Sequence, residues 1–491
     1  MNKKEIIISR EPELTRVAVL EDGELCEFYL EREGAHKLAG NIYKGRVQNV
    51  LPGMQAAFVD IGTDKNAFLY VGDIGVDERD LTFGGKRAAF TSIRQAVKAG
   101  QEIVVQAVKE PDGSKGARIT THITLPGRYV VLVPQVDYVG VSRRISSEEE
   151  RQRLRDEAER VKPEGMGLIV RTAAEGLSAA DFVADIAYLT ALWREIEQRA
   201  RVRKAPACVH EDENLLARTV RDLFTADVDR FVLEDEGSAE QVRGVLRRIS
   251  PELCGRVEVY GGGIPVFEAY RIESRLDKAL QHKVWLKNGG YLYVDQTEAL
   301  TVIDVNTGKF VGSHDLQDTV FRLNCEAAAE IARQVRLRDL GGIIIIDFID
   351  MESEEHQQQV VEALREAFKK DRNKTNVVGL TGLGLVEMTR KKMRTRLSDN
   401  LERPCPCCGG TGRILREEHT ARRAIRQARM MQASGTTQGI VISASPAVLE
   451  QVRQLGRGLS VYLAPDGRKR AGDYHVSVET DEALEGLERL D

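Results

Sequence analysis

The chain has 491 residues, of which 42% are hydrophobic and 30% charged, and its formal net charge is −5. A chain this long holds about two to four domains, and the composition is that of a globular protein with a sizeable core. The acidic balance excludes a basic nucleic-acid coat, so any RNA or DNA site must be a local basic surface; no run approaches the roughly 18 apolar residues of a membrane span.

Residues 1–10 carry two lysines and only three consecutive apolar residues, which reads as a first strand and not as a signal peptide. Residues 1–35 read as strands with a hairpin turn at Glu21-Asp-Gly23. Over 36–125 the texture changes to short strands (41–50, 56–61, 67–70, 102–109) punctuated by Pro52-Gly53, Gly62 and Pro111-Asp-Gly113, the pattern of a small barrel such as the OB fold. Residues 126–210 mix strands (129–133, 167–170) with a helix at 147–161, capped by Ser146 or Ser147, and a longer helix at 179–203. Residues 211–280 alternate helix and strand. Residues 281–400 read as strands around an Asn288-Gly-Gly turn, then strand, helix (317–339), strand and helix (354–370). After a Gly/Pro/Cys-rich stretch at 403–412 come a basic helix (419–432) and then an α/β tail.

Two segments carry the chemistry. Leu300-Thr-Val-Ile-Asp304-Val-Asn306 and Ile343-Ile-Ile-Ile-Asp347-Phe-Ile-Asp350 are β-branched runs, each reaching an acid. Two carboxylates at the ends of strands joined by one helix can hold a hard divalent cation, which activates water and steadies a phosphoryl group. Asn306 falls on the same side of an extended segment as Asp304 and can orient it. Asp350 is an outer-shell candidate or a plain turn residue. Residues 387–396 open with Glu387 and then carry five bases, a density suited to phosphate contacts or to a solvated helix face.

In the barrel, Phe58 and Phe68 are either core residues or stacking platforms for single-stranded bases. Tyr43 and Lys44 are placed before a turn, and Lys115 stands in a flexible loop at 112–116. The chain has seven cysteines. Cys26, Cys208, Cys254 and Cys325 are scattered, which argues against a disulfide framework and for a reducing cytoplasm. Cys405-Pro-Cys407-Cys408-Gly-Gly contains a Cys-x-x-Cys with glycines behind it, the shape of a zinc knuckle. A structural zinc wants four ligands, so either nearby groups such as His419 complete it or two chains each give half; an incidental or redox Cys-x-x-Cys is the remaining reading.

Taken together, these pieces resemble the ribonuclease E/G family over residues 1–415. The match rests on Asn41-Ile-Tyr-Lys-Gly45, Ala56-Ala-Phe-Val-Asp60, Gly167-Leu-Ile-Val-Arg-Thr172, the Asp304 segment, Arg336-Leu-Arg-Asp-Leu-Gly-Gly342 running into the Asp347 segment, and the cysteine knuckle. The short length is similar to the ribonuclease G branch. The resemblance implies a magnesium-dependent endoribonuclease that cuts single-stranded RNA, processes ribosomal and transfer RNA precursors and starts mRNA decay. The same resemblance implies stimulation by 5′-monophosphate ends and products with a 5′-phosphate and a 3′-hydroxyl.

By motif, Asp304 and Asp347 would hold magnesium with Asn306 in support, and Phe58, Phe68 and Lys115 would grip RNA. Gly127, Val131, Arg171 and Thr172 would form the 5′-phosphate sensor. Cys405 and Cys408 would bind a zinc shared between protomers of a homodimer or tetramer, although Cys407 departs from the family pattern. The implied architecture is a multidomain α/β chain. It has an RNase H-like part split over 1–35 and 211–280, an OB-fold barrel at 36–125 and a sensor at 126–210. A DNase I-like catalytic part at 281–400, a zinc link at 401–415 and a small C-terminal domain at 416–491 follow. A catalytically silent RNA-binding or ribosome-assembly factor, or a zinc-linked scaffold, are the rival functions.

Overall fold

In the computed structural model, residues 3–32, 34, 37–74, 92–111, 115–309, 316–435 and 439–490 are described, in two units, Met1–Asn400 and Leu401–Asp491. In the first unit the strand Lys4–Glu11 pairs antiparallel with Leu14–Glu21 and parallel with Arg230–Leu233, so a distant stretch of chain completes the N-terminal sheet. Its strand order is Val257–Val259, Arg230–Leu233, Lys4–Glu11, Leu14–Glu21, Glu24–Arg32. One face packs Ile6, Ile8, Val17 and Val19 against Phe224 and Leu246; the other packs Ile7, Ala18 and Leu20 against Phe267 and Leu276. Burial of both faces explains the unbroken isoleucine run.

Glu27, on the third strand of this sheet, is 6% exposed. It accepts a 2.8 Å charged hydrogen bond from Arg336 and one from the Tyr29 hydroxyl. Burial alone would push its carboxyl up, but Arg372, Arg336 and Tyr29 outweigh burial and hold it down at about 2. A depressed carboxyl contributes stability above its unfolded value, which is lost as pH falls from about 4.5 to about 2. Glu27→Gln should therefore cost at most about 3 kcal/mol at pH 7 and flatten the acid limb; urea unfolding at pH 7 and pH 3 checks both.

Five strands close into a barrel: Ile42–Leu51, Ala56–Asp60, Ala67–Tyr70, Arg118–Thr120 and Glu102–Lys109, with the last pairing back on the first. This is an OB-like arrangement whose interior holds Val47, Ala57, Val59, Leu69, Val105 and Ile119. Tyr43 and Lys44 lie within the first strand, not before a turn; Tyr43 is core, and Lys44 pairs with Glu102. Residues 112–114 of the expected loop lie outside the described residues.

The next sheet runs Val139–Val141, Gly167–Val170, Val130–Val133, Leu125–Pro126. It is backed by the helices Glu148–Val161 and Ala179–Val202, the first capped by Ser147, whose hydroxyl accepts from the Glu150 amide.

The last sheet of this unit orders its strands Lys283–Trp285, Tyr291–Gln296, Leu300–Asn306, Gly342–Asp347, Val386–Arg390, Thr375–Leu380. Val294, Ile303, Val305, Ile344, Ile346 and Met388 are buried with Leu323, Ile331, Val360 and Leu364 of the helices Leu316–Leu337 and Glu354–Phe368. Because side chains alternate along a strand, the intervening residues form a second face, on which Tyr293, Asp304, Ile343, Asp347 and Glu387 are exposed.

The second unit has a four-stranded sheet ordered Tyr474–Val478, Ile440–Ala444, Val461–Pro465, Glu488–Leu490, covered by the helices Glu417–Ala433 and Pro446–Leu455. Among the described residues, no helix is long and apolar enough to cross a membrane.

Candidate active site

The parallel register of the two central strands of the six-stranded sheet sets Asp304 directly beside Asp347. Adjacent strands lie about 4.8 Å apart, so two carboxylates emerge together on the open face, and both residues are exposed. Asn306, two residues on, donates from Nδ2 to Asp304 Oδ2 at 2.8 Å and fixes that carboxylate. Partial burial, then the negative charges of Asp304 and Asp350, push the Asp347 carboxyl up. Crowded carboxylates repel one another, and a divalent metal relieves that repulsion. Magnesium takes one or two protein carboxylates and completes its shell with water and substrate phosphate, so this donor set fits it. Among the described residues, no third His, Cys, Asp or Glu is gathered with the pair.

The basic stretch differs from expectation. Val386–Arg390 is a strand, and three of its region's five bases serve the fold. Arg390 is buried between Asp339 (2.6 Å) and Asp371 (2.7 Å). Arg394 pairs with Asp339 at 2.9 Å and lies 4.0 Å from the Tyr29 ring centroid. Arg396 bonds Asp399 and Gln296. Only Lys391 and Lys392 are left exposed without such a role.

On the barrel, Phe58 and Phe68 face each other across neighbouring strands, rings 6.0 Å apart and edge-to-face. Their chain neighbours Ala57, Val59, Ala67 and Leu69 point inward, and both phenylalanines are half-buried on the outer face. Lys115 is exposed, and Arg118, three residues on, is in register with Phe68. A Cβ on Gly116 would meet the Asn66 carbonyl oxygen at 2.0 Å. Only glycine lets the Lys115 segment lie against the phenylalanine strand; if Phe58 and Phe68 stack single-stranded bases, Gly116→Ala should weaken that binding about 10-fold, comparable to losing one stacked base. Fluorescence anisotropy with a labelled oligonucleotide checks this, with thermal melting as the folding control.

Gly127, Val131, Arg171 and Thr172 are also brought together. Arg171 bonds the Gly127 carbonyl oxygen, and its amide donates to Tyr129 at 2.8 Å. Thr172 shares a 3.1 Å hydroxyl contact with Ser142. Val131 lies opposite Ile169 on the paired strand. A Cβ on Gly127 would sit 2.4 Å from the Asp185 carboxylate, which accepts the Tyr129 and Val130 amides. Asp222, absent from the sequence reading, pairs with Arg171 at 2.8 Å and with Arg221 at 2.8 Å. Nothing in its local sequence marks it, because it comes from a helix more than 40 residues downstream.

In the second unit Cys405 and Cys407 are exposed and Cys408 is half-buried. The Gly412 amide donates to Cys408 Sγ at 3.3 Å. Backbone amides of Cys408 and Cys407 lower the Cys405 thiol. Amide-stabilised thiolates fit zinc, but among the described residues no third ligand, His419 included, is gathered with them.

The Ribonuclease E/G family model matches residues 124–393, which include both acids and the Arg171 region. The chain is 44% identical to ribonuclease G of Escherichia coli (strain K12) over 451 residues, 91% of this chain and 92% of that protein. It is 43% identical to ribonuclease G of Haemophilus influenzae, covering 92% of each. It is 42% identical to ribonuclease E of a Nostoc species over 84% of this chain and 59% of that protein. A family match over more than half the chain, joined to near full-length relatives, places this chain in the ribonuclease E/G family.

Proposed function

We propose that this chain is a magnesium-dependent endoribonuclease that cuts single-stranded RNA internally, with a preference for 5′-monophosphorylated ends. Ribosomal and transfer RNA precursors and mRNA are its substrates in the cytoplasm. The observation that carries the reading is the paired register of Asp304 and Asp347 on an open sheet face, with Asn306 bonded to Asp304.

Asp304 and Asp347 would hold magnesium, which would supply Lewis acidity at the scissile phosphate. The protein's own part is positional. Asn306 holds the Asp304 carboxylate in one orientation. Phe58 and Phe68 offer ring edges and faces to unstacked bases, and Lys115 meets the backbone charge. Arg171 offers a planar fork for a terminal phosphate and Thr172 a hydroxyl donor. Hydrolysis joins the water oxygen to phosphorus and breaks the bond to the 3′-oxygen, which leaves with a proton. The products are a 5′-phosphate and a 3′-hydroxyl.

On this reading the sheet of residues 281–400 is the DNase I-like catalytic part. Residues 1–35 with 211–280 form the RNase H-like part, 36–125 the RNA-binding barrel and 126–210 the sensor. Cys405 and Cys408 form the zinc half-site that links protomers, and 416–491 is a separate small domain.

The test is cleavage of a short fluorescent RNA bearing either a 5′-monophosphate or a 5′-hydroxyl. We expect magnesium-dependent cutting, about 10-fold faster on the monophosphate, a step worth roughly one charge-assisted hydrogen bond. Arg171→Ala should erase the preference while leaving the hydroxyl substrate's rate in place. RNA binding without any cutting would instead assign a silent RNA-binding factor.

A further inference from the structure

The open face of the catalytic sheet carries more than its acids. Lys283 is in register with Tyr293, and Tyr293 with Asp304, which neighbours Asp347. One pleat away, Trp285 is in register with Tyr291, and Tyr291 with Asn306. Residues directly opposite each other on paired strands share a face, so two rows of side chains run inward from the sheet's edge, one to the acid pair and the other to Asn306 beside it.

The rings form a continuous aromatic ladder. Trp285 and Tyr291 are 5.4 Å apart at 67°, and Tyr291 and Tyr293 are 5.7 Å apart at 86°. The Lys283 ammonium lies 3.6 Å from the Tyr291 centroid and 4.1 Å from that of Trp285. Lys283 is thus a cation fixed by ring faces. Trp285 is nonetheless 57% exposed and Tyr293 40% exposed. Large aromatics standing open on a sheet face are costly unless they serve a partner.

We infer that Lys283, Trp285, Tyr291 and Tyr293 form a nucleotide subsite that stacks a base of single-stranded RNA flanking the bond to be cut. The inference rests on the endoribonuclease reading above. Three observations select RNA as the occupant. The ladder is contiguous with the acid pair, so a chain whose phosphate lies at Asp304 and Asp347 must pass over or beside it. It combines ring faces with a fixed cation, the pairing that single-strand binders use. And this face carries exposed acids, Asp295, Asp304, Asp347 and Glu387, with Asp350 just beyond it, so a phosphate chain needs a cation held among them. Lys283 is the cation of its own row, and His282 is bonded to Asp295 at 2.6 Å. Without that cation the face would repel a phosphate chain. Tyr291 and Tyr293 brace the ladder, and Trp285, the most exposed member, presents the stacking surface.

The chain has only two tryptophans, and Trp193 is buried at 6% exposure, so Trp285 reports on this face by its own fluorescence. The experiment uses the full-length protein and a short single-stranded RNA with 2-aminopurine beside the cut bond. In a non-cutting Asp304→Asn background we expect RNA to quench both Trp285 emission and 2-aminopurine. Trp285→Ala should abolish the 2-aminopurine quench, and Trp285→Phe should restore most of it. In the cutting protein, Trp285→Ala should raise KM about 10- to 100-fold, with the loss falling on KM and not on kcat. An unchanged KM and an undiminished 2-aminopurine quench in Trp285→Ala would overturn the subsite while leaving the nuclease reading intact. Failure of the unaltered protein to cut would overturn the nuclease reading, and the quench would still decide the subsite. If Trp285→Ala instead halves the mass in solution without altering the quench, a second copy covers this face and the subsite assignment is wrong.

Discussion

Asp347→Asn should lower the rate of RNA cleavage by a factor on the order of 10³ or more, because the Lewis-acid role of a bound metal is worth several kcal/mol of transition-state stabilisation and each 1.4 kcal/mol is tenfold. The loss should fall on kcat and on the magnesium dependence, and RNA affinity measured without metal should change little. A structural role for Asp347 would give a different pattern, and the charge arrangement separates the two. Asp304 and Asp350 both raise the Asp347 carboxyl, so in the absence of a cation these acids repel one another. Removing one of them should leave the melting temperature in a chelator equal to or above that of the unaltered protein. Adding magnesium should then stabilise the unaltered protein and not the variant, since a ligand that binds only the folded state adds stability in proportion to its affinity. Cleavage that survives both Asp304→Asn and Asp347→Asn would remove the acid pair from the active site.

The acid pair was legible because its two strands are apolar and β-branched up to the point where a carboxylate appears, and a buried strand tolerates an acid only where it emerges. The barrel was legible for a similar reason: its turns are marked by Pro52-Gly53 and Gly62, and its strands alternate. Alternation by itself could not say whether Phe58 and Phe68 face in or out. Barrel closure decides it, since Ala57, Val59, Ala67 and Leu69 fill the interior and leave the phenylalanines outside.

What escaped the sequence is charge pairing over long distances. The stretch 387–396 reads as suited to phosphate contacts, or as a solvated helix face, because five bases stand close together, yet Arg390 is claimed by Asp339 and Asp371 in other elements. Likewise Arg336, inside a motif that carries the family resemblance, spends its charge on Glu21 and Glu27 of the N-terminal sheet. Local density of charge says where a phosphate could bind; only the fold says which of those charges are free. The Trp285–Tyr293 ladder was hidden for the complementary reason. Its members are spaced two apart on two strands of a hairpin, and their junction with Asp304 exists only once the register of Tyr291–Gln296 on Leu300–Asn306 is known.

On the proposed zinc link between protomers, Cys405→Ser or Cys408→Ser should each abolish zinc binding and dissociate the assembly, and the size of the effect follows from ligand count. A closed structural zinc needs four ligands, each chain brings an amide-stabilised pair, and a shared site therefore holds one zinc per two chains. Structural zinc sites contribute on the order of 10–16 kcal/mol of apparent binding energy in small peptides, far more than the ~1 kcal/mol typical of a point substitution. Loss of one thiolate should shift the assembly to a smaller species at micromolar concentration, seen by light scattering. Cys407→Ser is the internal control. It lies between the pair and, on this reading, leaves both zinc content and mass unchanged. A stoichiometry of one zinc per chain would mean that each chain closes its own site and that the link between protomers lies elsewhere. Cleavage by the zinc-free, dissociated protein should persist on short RNA, because Asp304 and Asp347 both come from one chain; its disappearance would shift the weight of the function from the acid pair to the assembly.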